Sequence, residues 1–185
     1  ATTGRYDSRL YATIFYQCDY FNDPEEKRVY GYVYDDRFKD KDTGVSYNRP
    51  VFRKFMPATY EDIAQSKCAI NIPLMRYANV LLMKAEALNE LGRTSEAIPF
   101  INEVRKVHGD MPAMTGTTKE EVKAQIEHER ILEFPLENYR WYDLRRWGKL
   151  TQAMQAAGRS QFNEASNSFY PTPLSELNSN DLIDK

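Results

Sequence analysis

"PLMRYANVLLMKAEALNELGRTSEAIPFINEVRKVHG", Pro73 to Gly109, carries the clearest periodicity in the chain. Leu74, Tyr77, Ala78, Leu81, Leu82, Ala85 and Leu88 recur at spacings of three and four, which places one apolar stripe along a helix. Gly92 ends that helix, and Thr94 or Ser95 is expected to cap the next one. Ala97, Ile98, Ile101 and Val104 then form the inner side of the second helix, which Gly109 and Pro112 stop. A helical hairpin is the expectation.

The hairpin resembles a single tetratricopeptide repeat. Ala85, Leu88, Gly92, Ala97 and Ile101 fall at that repeat's spacings: small residues let two helices approach, and Gly makes the tight turn. No second copy is visible. A lone repeat leaves its faces unburied, so the hairpin is expected to pack on something else, as part of a larger helical array. Downstream, Thr118 and Glu121 make a capping box for a third helix carrying Val122 and Ile126.

That helix runs into "EHERILEF" and then "ENYRWYDLRRWGKL", Glu137 to Leu150. On a helix, Glu129 and Glu133 share a face and Arg130 lies one turn from Glu133, while Asp143 lies one turn from Arg140 and Arg146. Arg140, Leu144 and Trp147 share another face. Carboxylates, arginines and flat rings in this density suit bidentate pairing and stacking. A pair of carboxylates drawn from Glu129, Glu133, Glu137 and Asp143 would suit glycoside hydrolysis. Arginines within a turn instead hold such groups ionised and work against a raised pKa. His128 and His108 lack the partners of a metal site, and no HExxH or Cys cluster is present. The segment therefore reads as a structural clasp made of Glu129, Arg130, Glu133, Arg140, Trp141, Asp143, Arg146 and Trp147. Tyr77, Trp141, Tyr142 and Trp147 are expected in packing roles, with no catalytic residue and no metal.

Before Pro73 the chain changes character. "LYATIFYQ" (Leu10 to Gln17) and "RVYGYVY" (Arg28 to Tyr34) are rich in β-branched and aromatic residues, as strands are. "DDRFKDKDTGVSYNRP" (Asp35 to Pro50) reads as a polar loop. Nine of the thirteen tyrosines lie in residues 1–60, which concentrates ring surface there. On a strand, Tyr30, Tyr32 and Tyr34 would point to one face, spaced by about 6.6–7 Å. Such a comb serves half-buried packing as readily as it serves a ligand. Tyr20, Phe21, Tyr47 and Asn48 fall in expected loops, where binding residues concentrate.

The totals exclude several function classes. With 185 residues, 42% hydrophobic and 28% charged, the chain is ordinary for a globular domain or part of a larger one. Twenty-five basic against 27 acidic residues leave a net charge of −2, which gives no field to draw in nucleic acid or an anionic membrane. No run approaches the roughly 20 apolar residues of a membrane span. "ATTGRYDSRL" carries no basic or apolar export region, which fits either a removed signal or a segment of a longer chain. Cys18 and Cys68 form no CxxC pair, and the sequence leaves a disulfide between them open.

Together these blocks resemble the C-terminal portion of the SusD/RagB family. "IPLMRYANVLLMKAEALNELG" is similar to the family's Pro-x-x-Arg-Tyr-Ala segment, and "AIPFINEVRKVHG" to the helix that follows. "IEHERILEFPLENYRWYDLRRWG" resembles its Glu-Arg-x-x-Glu…Arg-Trp-x-Asp-Leu-x-Arg-Trp signature, and "FYPTPLSELNSND" its closing Tyr-Pro-x-Pro stretch. The likeness runs from about Phe52 to Asp181, and the third block is highly specific. Asn79 stands where the family usually has Glu, Pro135 where it has a small residue, and Thr172 where it has an aliphatic one. Pro135 is expected to kink or split the third helix.

The resemblance implies a mainly α chain: a tetratricopeptide-like hairpin and further helices, with short strands and long irregular loops in the N-terminal third. It would form part of an α-α superhelical SusD-like fold, with a tyrosine-rich region over 1–72, signature helices over 73–150 and an extended tail over 151–185. It also implies a non-catalytic, cofactor-free surface lipoprotein of the outer membrane, anchored through a signal and Cys outside this chain. Such a protein binds glycan and delivers it to a TonB-dependent, SusC-like transporter. Its other partner is the remaining N-terminal part of its own polypeptide. Tyr20, Phe21, Tyr30, Tyr32, Tyr34, Tyr47 and Asn48 are the candidate ligand contacts in this segment. Two rivals stand beside this reading: a helical-repeat protein-interaction module and, further off, a glycoside hydrolase.

Overall fold

The computed structural model describes residues 6–47, 49–57, 59–66, 68–167 and 169–182. The described residues are mainly helical and divide into two compact units, Ala1–Glu137 and Asn138–Lys185. In the first unit, α1 (Ser8–Thr13) leads directly into β1 (Ile14–Phe15), which pairs antiparallel with β2 (Val51–Phe52). The short α2 (Tyr34–Arg37) and α3 (Tyr60–Ala64) lie on either side of β2 in the chain. Three long helices follow: α4 (Tyr77–Glu90), α5 (Thr94–Gly109) and α6 (Lys119–Glu133).

The hairpin forms as the periodicity predicts. Ala78, Leu81, Leu82, Ala85 and Leu88 of α4 are buried with Ala97, Ile101 and Val104 of α5 and with Val122 and Ile126 of α6. Gly92 turns the chain at φ 76, a left-handed value that suits a residue without Cβ. The Arg93 N–H closes the turn on the Leu88 carbonyl at 2.9 Å. The second helix is not capped by Thr94 or Ser95, because Arg93 is its N-cap and the Thr94 hydroxyl donates to Asn89 Oδ1 at 2.8 Å. Buried Asn89 also donates to the Lys119 carbonyl at 2.9 Å and so ties α4 to the start of α6. The Thr118 capping box is present in both directions. Pro135 sits just past α6, which ends at Glu133 because the residue before a proline resists helical backbone.

Two expectations about exposure are corrected. Leu74 precedes α4 and is 91% exposed, since the helix begins only at Tyr77. Tyr77, expected in a packing role, is also exposed, because a first-turn side chain leans back beyond the helix end.

The aromatic N-terminal third builds a second core from Phe15, Phe21, Val29 and Tyr34. Phe15 and Phe21 meet edge to face with centroids 5.2 Å apart, a favoured arrangement of ring quadrupoles. Neither expected strand forms as read. Leu10 to Thr13 is helical because the Asp7 carboxylate accepts the Arg9 N–H at 2.9 Å and caps α1. Arg28 to Tyr34 is a tight turn: Tyr30 and Gly31 both have positive φ, 54 and 85, and Val29 bridges back to Tyr32.

One face of α6 organises a network of buried charge. Glu129 is fully buried and accepts from Arg9 Nη2 at 2.8 Å, from Gln125 Nε2 at 2.8 Å and from Arg105 Nη1. Glu133, one turn on, accepts from Arg76 Nη1 at 2.7 Å and Arg9 Nη1 at 3.2 Å, and meets His108 Nδ1 at 2.8 Å. Glu137 takes a fork from Arg76, at 3.0 and 2.8 Å, together with Lys54 Nζ at 2.5 Å. Arg9 also grips Asp7 with two bonds, at 2.9 and 2.6 Å. Segments far apart in the chain are thus pinned to one helix and the turn after it.

Burial works against ionisation of both Asp7 and Glu137. Bonds from Arg9, and from Arg76 and Lys54, outweigh it and hold both carboxyls below their ordinary values of 3.8 and 4.5. Below those values the unfolded chain binds more protons than the folded one, so stability falls as pH drops through this acidic range. Urea midpoints measured from pH 6 to pH 3 are expected to decline, and Glu137→Gln should flatten the slope. Equal slopes for both proteins would refute the assignment to Glu137.

In the second unit, α7 (Tyr139–Arg146) and α8 (Leu150–Ala156) join through Gly148 at φ 67. Two short helices, α9 (Glu164–Asn167) and α10 (Leu174–Ser179), follow. Buried Asp143 accepts from Arg146 Nε at 3.0 Å and Nη2 at 2.9 Å, and the Arg146 guanidinium lies 4.7 Å over the Trp147 ring.

Candidate functional site

An open cleft of about 820 Å³ lies in the first unit, between the α1–β1 segment, the 27–31 turn and the residues following β2. That volume is within the range that holds a small ligand. Its ring lining comes from Tyr11, Phe15, Tyr20, Tyr30 and Phe55. The local fold presents these rings through unusual backbone. Tyr30 (φ 54) and Phe55 (φ 64) adopt left-handed conformations that bulky side chains rarely take, and Lys27 (φ 46) on the same rim does too. Strain of this kind persists only where surrounding contacts enforce it. Here the Tyr30 hydroxyl donates to the Pro57 carbonyl at 2.8 Å, and the Gly31 N–H donates to Lys27 O at 3.0 Å.

Tyr20 is held more tightly than an open stacking platform would be. The Arg28 guanidinium lies 4.2 Å from its centroid and the Tyr11 ring 4.1 Å from it. Two groups that close to one centroid must take opposite faces, so Tyr20 has no open face on which a ligand could stack. Arg28 Nη1 is itself fixed by the Tyr20 carbonyl at 2.7 Å and by Asp23 Oδ2 at 3.2 Å.

The sequence-read contacts scatter. Tyr20 and Tyr30 line the cleft. Tyr32 and Tyr47 are exposed outside it; Arg37 lies over Tyr32 at 5.3 Å and over Tyr60 at 4.7 Å. Phe21 and Tyr34 are fully buried, and the Tyr34 hydroxyl is spent on the Arg49 carbonyl at 2.6 Å, so neither presents a surface to a ligand. Asn48 lies outside the described residues. The expected comb of Tyr30, Tyr32 and Tyr34 is replaced by a turn, because Gly31 reverses the chain between the first two. Tyr11, Arg53 and Phe55, which do line the cleft, carried no sequence signal that set them apart.

The residues read as a clasp make these contacts. Glu129 and Glu133 accept from Arg9, Arg76 and Arg105, three arginines the sequence reading did not connect to them. Arg130 donates to buried Asn79 Oδ1 at 2.8 Å and lies 5.1 Å over Phe134. Asp143, Arg146 and Trp147 meet as expected. Arg140 is exposed and joins no ion pair among the described residues, so it is not part of the lattice. Half-buried Trp141 packs edge to face on Phe162 at 6.0 Å. Tyr142 is exposed, since α7 buries its Asp143–Leu144 side instead. Cys18 and Cys68 are both free thiols. Among the described residues no group of His, Cys, Asp or Glu is arranged to hold a metal ion, and no helix is long and apolar enough to cross a membrane.

The hairpin, the α6 carboxylate register and the Arg-Trp helix together define a SusD-type helical segment. The SusD family profile matches residues 2–185, and the chain belongs to that family. Three SusD-like proteins of Formosa agariphila are similar to it. P38 is 42% identical over 93 residues, covering 45% of this chain and 18% of its own. P2 is 33% identical over 129 residues, covering 64% of this chain and 24% of its own, and P25 is 28% identical over 152, covering 78% and 29%. The crystal structure of a SusD superfamily protein from Bacteroides vulgatus superposes with a TM-score of 0.64 at 27% identity. That match covers 83% of this chain and 31% of the other. The chain therefore spans less than a third of the length of these relatives.

Proposed function

We propose that the polypeptide carrying this chain is a non-catalytic glycan-binding lipoprotein of the outer-membrane surface. It delivers its ligand to a TonB-dependent, SusC-like transporter. Family membership supports this reading, and the observation that carries it into this segment is the ring-lined cleft holding Tyr20 and Tyr30. Apolar sugar faces pack on aromatic rings while hydroxyls take polar groups, and the cleft supplies both. The exposed Tyr32 and Tyr47 remain candidates for outer contacts with a longer chain. The α4–α5 hairpin serves as scaffold in this reading, whereas the rival interaction module would use it as the binding face.

Titration of the full-length polypeptide against a panel of oligosaccharides tests the proposal. At least one glycan is expected to bind, and chromatography should show it released unchanged. Tyr20→Phe removes only a hydroxyl and should weaken binding by about fivefold, the worth of one hydrogen bond. Tyr30→Ala should weaken it more, with thermal melts as the control for folding. Cleavage of the oligosaccharide would favour the hydrolase, and no glycan binding with retained capture of a protein partner would favour the interaction module.

A further inference from the structure

The cleft is charged as well as aromatic. Lys27, Arg28, Arg53 and Lys54 all line it, and no carboxylate does. Two of these cations are neutralised from outside the lining. Arg28 pairs with Asp23 at 3.2 Å and Glu26 at 3.7 Å, and Lys54 with Glu137 at 2.5 Å. The other two have no acidic partner among the described residues. Arg53 Nη1 donates to the neutral Tyr11 carbonyl at 2.8 Å, while its guanidinium lies 5.3 Å over Phe15. Lys27 is exposed on the rim. Two of the four cations of the cleft are thus left without an acidic partner among the described residues, in a chain whose net charge is −2.

We propose that this cleft takes an anionic saccharide, one bearing a carboxylate or a sulfate. The inference rests on the glycan-binding reading above and narrows its ligand class. Arg53 is placed for the anionic group: its fork matches carboxylate and sulfate oxygens, and the ring beneath it fixes the guanidinium plane. Lys27 adds a second charge on the exposed rim of the cleft. Tyr20, both faces covered, offers no open ring face for stacking. A concave, partly apolar wall strengthens attraction between such charges relative to open water.

The test titrates the full-length polypeptide with three oligosaccharides of equal length: neutral, uronate-containing and sulfated. Two free charges at this exposure predict about tenfold tighter binding of an anionic ligand than of the neutral one. That advantage should shrink between about 50 mM and about 500 mM salt as the charges are screened. Lys27→Asn, which tolerates the left-handed backbone, should cut anionic affinity by about two- to fivefold and so shrink the anionic-over-neutral ratio. Arg53→Gln should do more, and the carboxylate and sulfate arms together identify which group the fork prefers. Equal affinity for all three ligands, or wild-type anionic affinity in both variants, overturns the inference while leaving glycan binding intact. Absence of binding to all three, in a protein that also binds no other glycan, overturns both.

Discussion

Replacing Glu129 with Ala is expected to destabilise the protein by about 3–5 kcal/mol, the usual result of removing one side of a buried ion pair. Glu129 is fully buried, and the side chains of Arg9 and Arg105 that meet it are only 8% and 11% exposed. Losing the carboxylate leaves largely buried Arg105 without an acidic partner among the described residues and Arg9 with only Asp7 and Glu133, and Gln125 loses its acceptor too. Glu129→Gln keeps the shape and one acceptor but removes the charge, so it should fall between wild type and Ala. Chemical denaturation of the three proteins checks the order. A loss below about 1 kcal/mol for the Ala variant is what an exposed pair would give, and would mean that the network is solvated in solution.

Gly109→Leu should cost about 1–3 kcal/mol for a different reason, overpacking against groups that cannot give way. Gly109 closes α5, and a Cβ there would stand 3.0 Å from Arg9 Nη2, 3.0 Å from Asp7 Oδ2 and 3.1 Å from Asp7 Oδ1. A flexible side chain would swing aside, but these atoms are bonded to each other, and Arg9 is bonded to Glu129. A larger residue must therefore either shift α5 or break the Asp7–Arg9 pair. Gly109→Ala, with the smallest Cβ, should show a smaller loss of the same sign. Combined with Arg9→Ala, which removes one of the two groups and frees the Asp7 side chain to move, the Leu variant should cost less than the sum of the two single changes. Full additivity in that double-mutant cycle would place the conflict elsewhere.

These two results bear on what a single sequence can reveal. The α4–α5 hairpin and the Thr118 cap were legible because their causes are local: apolar spacing, Gly92, and a Thr–Glu pair three residues apart. Glu129 and Glu133 could be placed on one helix face for the same reason, their spacing of four, whereas Glu137, which takes Arg76 and Lys54, was not counted among the clasp residues. The partners of these carboxylates were not legible. Arg9 is 120 residues from Glu129, and nothing near it in sequence says which carboxylates it will meet. Helical spacing favours neighbours and suggested Arg130 for Glu133, yet the tertiary contacts came from Arg9, Arg76 and Arg105.

The aromatic third failed for another physical reason. "VYGYVY" has the composition of a strand, but composition does not fix the sign of φ at Tyr30, and Gly31 permits the reversal. Once the chain turns, Tyr34 falls into the core with Phe21 while Tyr30 faces the cleft. Tyrosine density marked the region but could not sort its members into buried and exposed rings.

A structure of the full-length polypeptide bound to an oligosaccharide would test the account most directly. The account predicts density for a sugar in the 27–31 cleft, in contact with Tyr20 and Tyr30 and with an anionic substituent on Arg53. Sugar bound elsewhere, with this cleft occupied by another part of the polypeptide, would contradict it.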